Sequence, residues 1–195
     1  IKSILRGLQR VSGPPHIPPI WALGYHQSKW SYRSEEEVKS LMEKFLSLGI
    51  PCSSIHLDLD YMHKMKVFTW NKDAFPDPRK LSEYLKTYDC HLVTLVDPFV
   101  VDGQYSVARI GRERGYFVRR SNGDYLRIRG WGGSSLLIDM LNPEAREWWA
   151  RLYVVFSERY KIDGFINDMN EPSAVTTPEL SRVILKGGIF KGNKR

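Results

Sequence analysis

The sequence predicts an α/β fold, namely the first half of a (β/α)8 TIM barrel with a β-hairpin inserted after the third strand. Short apolar segments alternate along the chain with segments of helical periodicity, so that each predicted strand reaches the next through a crossover. Right-handed βαβ units build either an open doubly wound sheet or a closed barrel. The segment after the first predicted strand, Gly24-Tyr-His-Gln-Ser28, lacks the glycine-rich loop of nucleotide-binding sheets, which favours the barrel.

The first two predicted strands flank a helix. Residues 21–25 form a short apolar segment that predicts a buried strand. Ser34, with Glu37 three residues later, is typical of a capping box, and apolar residues at helical spacing continue to a stop at Gly49. Residues 50–59 then carry apolar side chains on alternate positions, which predicts the second strand.

The remaining pattern contains two more strands and the insertion. Residues 91–96 are apolar enough to predict a strand that is buried on both faces. The stretch at about 99–135 interrupts the alternation, and its Asn-Gly pair at 122–123 predicts a β-hairpin. An Asn-Pro pair at 142–143 predicts a helix start, and residues 162–166 predict the fourth strand.

These elements divide the chain into three parts. Residues 1–19 predict a helix end and a proline-rich connector into the barrel, and residues 20–175 predict the partial (β/α)8 domain. Residues 176–195 predict a basic tail that leads towards the second half of the barrel. Because the chain begins with Ile1 inside a helical pattern and a half-barrel leaves a sheet edge open, we expect an excerpt of a longer protein.

The composition is that of a globular chain, with 42% hydrophobic and 26% charged residues. Two cysteines far apart in the sequence exclude a disulfide scaffold and a CxxC zinc site, and no apolar run approaches the roughly 18 residues of a membrane span. The net charge of +7 is concentrated in the predicted hairpin and tail, so the body of the chain is nearly neutral. Free thiols and the absence of an N-x-S/T sequon favour a cytoplasmic location.

Polar and aromatic side chains gather where the predicted strands end. Trp30 follows the first strand, Asp58 the second, Asp97 the third and Asp168 the fourth. In a barrel, the carboxyl ends of the strands form the active-site face. Carboxylates bind sugar hydroxyls, tryptophan rings stack on pyranose faces, and glycoside hydrolysis uses two carboxyl groups. The pattern therefore predicts a carbohydrate-active site at this face.

Five short motifs follow one another between about residue 10 and residue 174. They are Trp21-Ala-Leu-Gly-Tyr-His-Gln-Ser-Lys-Trp30, Asp58-Leu-Asp-Tyr-Met62, Leu95-Val-Asp-Pro98, Trp131-Gly-Gly-Ser134 and Asp168-Met-Asn-Glu-Pro-Ser173. In sequence, order and spacing they resemble the motifs of glycoside hydrolase family 31, the family of α-glucosidases and α-xylosidases.

The resemblance implies a retaining enzyme that acts on terminal, non-reducing α-linked sugars and needs no metal or cofactor. Asp168 would be the nucleophile and would form a covalent glycosyl intermediate, with Glu171 supporting its loop. Asp58 would accept hydrogen bonds from hydroxyls of the bound sugar. The sugar pocket would be lined by Trp30, Leu95, Trp131, Ile166 and Met169.

Two features depart from the family pattern. Ile166 stands where the family usually has tryptophan, which leaves both α-glucoside and α-xyloside specificity open. The family's acid/base aspartate lies far downstream of the nucleophile, whereas after Asp168 this chain has only Glu171 and Glu179 as acids. We therefore expect this polypeptide alone to have no turnover.

Three other interpretations stay open. Arginines and aromatic residues of the predicted hairpin suit nucleic-acid binding, and His56, Asp58, Asp60 and His63 have the atoms of a metal site. A half-barrel is also compatible with a pseudoenzyme or a carbohydrate-binding module. The favoured partners are an α-linked oligosaccharide or α-glycoside and the remainder of the barrel, with an oligomer left open and neither nucleic acid nor membrane expected.

Overall fold

The computed structural model describes residues 1–171 and Ser173; the predicted basic tail at 176–195 lies outside the described residues. The helices are α1 (Lys2–Ser12), α2 (Glu35–Ser47), α3 (Pro78–Lys86), α4 (Ser106–Glu113) and α5 (Pro143–Tyr160). The strands are β1 (His26–Ser28), β2 (Ser54–Leu57), β3 (His91–Val96), β4 (Phe99–Val101), β5 (Arg127–Gly130), β6 (Gly133–Leu137) and β7 (Gly164–Asn167). Within the described residues, no helix has the length and apolar character needed to cross a membrane.

Four strands form one parallel sheet in the order β1-β2-β3-β7. The register pairs His26 with Ser54, Ser54 with His91, and Val93 with Gly164. α2 and α3 join successive strands of this sheet, because parallel strands need a crossover connection. The four-stranded parallel sheet that the sequence predicts for half of a barrel is confirmed.

The two faces of the parallel sheet have different surroundings, because successive side chains of a strand point to opposite sides. Ile55, Leu57, Leu92 and Val96 share one face and are fully buried in a core that also includes residues of α2, α3 and α5. We call the other side the inner face. By the strand register, it carries His26, Ser54, His56, His91, Val93, Leu95, Gly164 and Ile166.

The insertion after β3 is larger than the hairpin predicted at about 99–135. It contains α4 and an antiparallel sheet in the order β4-β6-β5. The sequence did not predict α4 because the buried face of this helix consists of small residues, Val107, Ala108 and Gly111. A Cβ atom on Gly111 would lie 2.4 Å from the ring of Phe117, so this close approach requires glycine.

The predicted Asn-Gly turn does form at the tip of the insertion. Gly123 has a φ of +89°, and the side-chain oxygen of Asn122 accepts a hydrogen bond from the backbone N–H of Asp124 at 3.1 Å. The segments beside the turn pair only through an isolated bridge between Arg119 and Tyr125. The regular hairpin is instead the one that joins β5 to β6.

The strand predicted at 21–25 was wrong. Ile20–Leu23 is a short 3₁₀ helix, and parallel pairing starts only at His26. The apolar residues of this segment do not form one buried face, since Leu23 is 73% exposed. The ring of Trp21 stacks instead on that of His91, with 4.4 Å between ring centroids.

The strand predicted at 50–59 is shorter in the structure and ends at Leu57. Asp58 ends it, because its carboxylate accepts a hydrogen bond from the backbone N–H of Leu59 at 2.6 Å and caps the 3₁₀ helix Leu59–Tyr61. A second 3₁₀ turn, His63–Met65, follows directly. The strand-end carboxylate is therefore held by a local turn.

Aromatic packing anchors the loop after β2 to the rest of the core. Trp70, which is 5% exposed, stacks on Phe156 of α5 with 5.8 Å between centroids. Tyr61 packs edge-on against Trp70 at 4.7 Å, and its hydroxyl donates a hydrogen bond to the backbone oxygen of Leu95 at 2.8 Å. Aromatic pairs of this kind contribute about 1 kcal/mol beyond the burial of their surface.

Side-chain caps begin the two longest helices. Ser34 accepts a hydrogen bond from the backbone N–H of Glu37 at 3.2 Å, which confirms the predicted cap of α2. At α5, the side-chain oxygen of Asn142 accepts from the backbone N–H groups of Glu144 at 2.9 Å and Ala145 at 3.4 Å. The sequence predicts both starts correctly because capping is a local interaction.

Replacing Asn142 with alanine leaves these N–H groups without their side-chain acceptor. We expect Asn142→Ala to lower the free energy of unfolding by about 1 kcal/mol, measured by chemical denaturation. Asn142→Asp keeps an acceptor at the same position and should stay close to wild type. Equal losses in the two variants would contradict the capping role.

Candidate active site

Three aspartates lie at the carboxyl edge of the parallel sheet. Asp58 directly follows β2, Asp97 directly follows β3, and Asp168 directly follows β7. Asp58 is half-buried, Asp97 is 5% exposed and Asp168 is exposed. The edge therefore offers carboxyl groups at three different depths.

The strand register sets the spacing of these aspartates. Val96 pairs with Asn167, and the backbone N–H of Asp168 still donates to the oxygen of Val96 at 3.3 Å. Asp97 and Asp168 are therefore neighbours on adjacent strands, whose backbones lie about 4.8 Å apart. Both aspartates come two positions after an inner-face residue, Leu95 or Ile166, so the alternation of side chains places them on the inner face as well.

The carboxyl groups influence one another electrostatically. Burial raises the pKa of Asp58, and the negative charges of Asp168 and Asp60 raise it further, against the hydrogen bond from Leu59. Burial raises the pKa of Asp97 to about 7, with added contributions from the charges of Asp168 and Asp58. At neutral pH this edge thus contains a carboxyl group that is partly protonated.

Aromatic side chains from two segments meet beside the aspartates. Trp30, two residues after β1, packs edge-on against Trp131, which lies between β5 and β6, with 4.9 Å between centroids. The indole N–H of Trp131 donates to the sulfur of Met169 at 2.9 Å. Trp30 is 65% exposed and Trp131 is 40% exposed, so both rings keep surface open to a ligand.

Two aliphatic residues lie one layer below the aspartates. Leu95 of β3 pairs with Ile166 of β7 across the strand register. Leu95 is 4% exposed, whereas Ile166 is half-buried. Tyr153 of α5 donates a hydrogen bond to the side-chain oxygen of Asn167 at 2.6 Å, on the other face of the sheet.

The loop after β7 contains the remaining predicted residues. Met169 has a φ of +54°, and its backbone N–H donates to the carboxylate of Asp168 at 2.8 Å. Glu171 is exposed and accepts a hydrogen bond from the Ser173 hydroxyl at 2.8 Å. Beside this loop lies a mainly apolar cavity of about 210 Å³. Its lining residues are Pro98, Leu137, Ile138, Met140, Leu141, Asn170 and Glu171.

All the residues that the motifs single out are therefore gathered at one edge. The sequence did not single out Asp97 as a site residue, although it named this aspartate as the end of the third strand. What identifies Asp97 is the pairing register of β3 and β7, which makes it the neighbour of Asp168. This register cannot be derived from the periodicity of the sequence.

The four residues considered for a metal site do not lie on one face of a single strand. His56 and Asp58 continue one face of β2, but Asp60 lies in the following 3₁₀ helix, and exposed His63 begins the next turn. Among the described residues there is no group of three or more histidine, cysteine, aspartate or glutamate side chains arranged to hold a metal ion.

Several arginines of the insertion contact groups within it. Arg112 and Arg127 both form ion pairs with Asp102. The guanidinium of Arg119 lies 4.2 Å from the centroid of the Tyr125 ring and donates to the hydroxyl of the same residue. These contacts give the three arginines a structural role, which weakens the nucleic-acid interpretation.

The family match agrees with this architecture. Parallel strands of a partial barrel with carboxyl groups at their carboxyl ends are the arrangement of TIM-barrel enzymes, which place their active sites at that edge. The model of the Glycosyl hydrolases family 31 TIM-barrel domain matches residues 15–186. The chain belongs to glycoside hydrolase family 31.

Relatives and solved structures are similar over most of this chain. Neutral alpha-glucosidase C of Homo sapiens is 33% identical over 194 residues, which are 98% of this chain and 21% of that protein. Glucosidase 2 subunit alpha of Schizosaccharomyces pombe is 37% identical over 174 residues, which are 87% of this chain and 19% of that protein. A crystal structure of glucosidase II alpha subunit with alpha3-Glc2 bound matches with a TM-score of 0.76 at 36% identity. That match covers 82% of this chain and 18% of the solved one.

Histidines line the inner face below the aspartates. Nδ1 of His26 lies 3.0 Å from Nε2 of His56, which also lies 2.9 Å from the hydroxyl of Ser54. Burial, and then the neighbouring His26, lower the pKa of His56 to about 4. His56 is therefore neutral at physiological pH, and protonating it opposes folding.

We expect His56 to make the folded state less stable as the pH falls from about 6.5 to about 4. In this window the unfolded chain binds a proton that the folded chain excludes, so stability rises with pH. The shift corresponds to at most about 3 kcal/mol. The difference in unfolding free energy between wild type and His56→Gln should change by up to this amount across the window. His63→Gln, at an exposed position, is the control; the same change there would contradict the assignment to His56.

Proposed function

We propose that this chain supplies the nucleophile-bearing part of a retaining, exo-acting α-glucosidase. The observation that supports this most directly is the exposed carboxylate of Asp168 at the end of β7, inside a family motif and at the same sheet edge as Asp58. Carboxylates and open tryptophan rings at one barrel edge suit a pyranose ring, which has hydroxyls at its rim and apolar faces.

In the proposed reaction, one carboxylate oxygen of Asp168 attacks the anomeric carbon of the terminal sugar. A bond forms between this oxygen and the carbon while the bond to the leaving oxygen breaks. The leaving oxygen takes a proton from a general acid on the opposite side of the sugar. A water molecule, deprotonated by the same group, then opens the glycosyl ester and frees Asp168.

Glu171 does not suit the role of this general acid. It lies three residues after Asp168, and its carboxylate accepts a hydrogen bond from Ser173. The pKa of Glu171 is lowered, first by a backbone hydrogen bond and then by the Ser173 hydroxyl, which favours the ionised form. We therefore assign Glu171 to supporting the loop and place the acid/base outside the described residues.

Sugar binding in this proposal divides between polar and aromatic groups. Asp58 accepts hydrogen bonds from sugar hydroxyls, and its burial makes each such bond stronger than it would be in water. Trp30 and Trp131 pack against the apolar face of the sugar, and Met169 positions the Trp131 ring through its sulfur. Leu95 and Ile166 form the floor.

An α-glucoside is the favoured substrate because the similar curated proteins are named α-glucosidases or glucosidase 2. The bound alpha3-Glc2 in the similar crystal structure belongs to that protein and supports the same substrate class.

The proposal is tested by trapping the nucleophile. A fluorinated α-glucosyl trap should add one glycosyl group to Asp168 in the longest natural polypeptide that contains these residues, detected by intact-protein and peptide mass spectrometry. Asp168→Asn should give no adduct and lose at least ~10³-fold in kcat/KM, equivalent to about 4 kcal/mol of transition-state stabilisation.

Asp89→Asn is the matched control, because Asp89 is exposed in the turn before β3, at the opposite edge of the parallel sheet. It should label and turn over like wild type. An adduct on a different residue, or an unlabelled wild-type protein, would exclude the proposed mechanism.

A further inference from the structure

Asp97 is a buried carboxyl group with an unmet hydrogen-bonding requirement. It is 5% exposed, and among the described residues its Oδ1 atom has no hydrogen-bond partner. A buried carboxylate without donors is costly, so such a group either carries a proton or receives a donor. Asp97 therefore needs an explanation that core packing does not provide.

The groups around Asp97 are acids or neutral phenols. Asp58 faces it from the end of β2 and Asp168 from the end of β7, and both charges act on it. Tyr61, from the 3₁₀ helix after β2, and Tyr153 of α5 lie close enough for the charge of Asp97 to raise their own pKa values. Burial is the first cause in both tyrosines, and it raises the pKa of Tyr153 to about 12, so both stay neutral near pH 7.

Two neighbouring carboxyl groups at one edge do not both ionise easily. The proton stays on the group that loses more solvation when it is charged, and Asp97 is buried whereas Asp168 is exposed. We propose that Asp97 holds a proton in weakly acidic solution and acts as a positioning residue, which donates a hydrogen bond to the carboxylate of Asp168 and leaves that carboxylate as the charged nucleophile. This inference rests on the proposed role of Asp168.

A protonated Asp97 would serve the reaction in two ways. Its O–H group can fix the Asp168 carboxylate in one orientation, so that one oxygen faces the anomeric carbon. Because it is neutral, it adds no charge that would draw a proton onto Asp168 as the pH falls. An ionised Asp97 can do neither, since it has no donor and repels the nucleophile.

Three substitutions separate a neutral donor from a charged group. Asp97→Asn replaces the carboxyl group with an amide that has N–H donors and no charge, so this variant should keep kcat/KM and the trapping rate within about threefold of wild type near pH 5.5. Asp97→Leu has the same branching but no donor, and its trapping rate should fall about tenfold or more. Asp58→Asn, the same chemical change one strand away, should lose far more because Asp58 contacts the sugar as a carboxylate.

The pH dependence of trapping provides a second readout. A trap with an activated leaving group needs no general acid, so its rate reports the nucleophile and its neighbours. Wild type and Asp97→Asn should coincide on the acid limb, where Asp97 is protonated in wild type. Above about pH 7, wild type should slow relative to Asp97→Asn, because only wild type gains a second negative charge there.

The outcomes separate this inference from the proposed function. If wild type is not trapped on Asp168, the proposed function fails, and this inference fails with it. If wild type is trapped and folded Asp97→Asn loses more than about 100-fold, Asp97 acts as an ionised group and the inference alone is overturned. If a variant is too unstable to assay, the pH dependence of the wild-type trapping rate is the test. A wild-type trapping rate that does not change near pH 7 overturns the proposal.

Discussion

The parallel pairing of β2, β3 and β7 is the constraint on which the site depends. Parallel strands in register end at one edge, so the residues that follow them share a level. Asp168 and Asp97 become neighbours because Val96 pairs with Asn167, and Asp58 comes next to Leu95 because Leu57 pairs with Thr94. A slip of one residue in either pairing would turn these side chains to the opposite face.

Holding carboxyl groups together at a partly buried edge opposes folding, and the adjoining core offsets this cost. The pKa values of Asp58 and Asp97 are raised because both groups lose contact with water. The packed aromatic rings of Trp70 and Phe156 lie on the helix-covered side of the same strands. The hydroxyl of Tyr61 links this aromatic packing to the backbone of β3 one layer below the edge.

The insertion shapes the other side of the site. Its antiparallel sheet places Trp131 in the turn between β5 and β6, where the ring meets Trp30 and the sulfur of Met169. Met169 also packs against a small apolar cluster of the insertion, formed by Phe99, Ile128 and Leu137. The loop that contains the proposed nucleophile is thus supported from both the barrel strands and the insertion.

The sequence alone determined the alternation of strands and helices, the caps at Ser34 and Asn142, and the candidate residues at the strand ends. Local interactions and hydrophobic periodicity were enough for these features. Capping and turns involve residues a few positions apart, and buried strands such as 91–96 are visible as apolar runs. Only the tertiary structure decided that Trp21 lies outside a strand, that α4 exists, and that Asp97 stands beside Asp168. Those features depend on long-range pairing and on the fit of Gly111 against Phe117, which no local pattern contains.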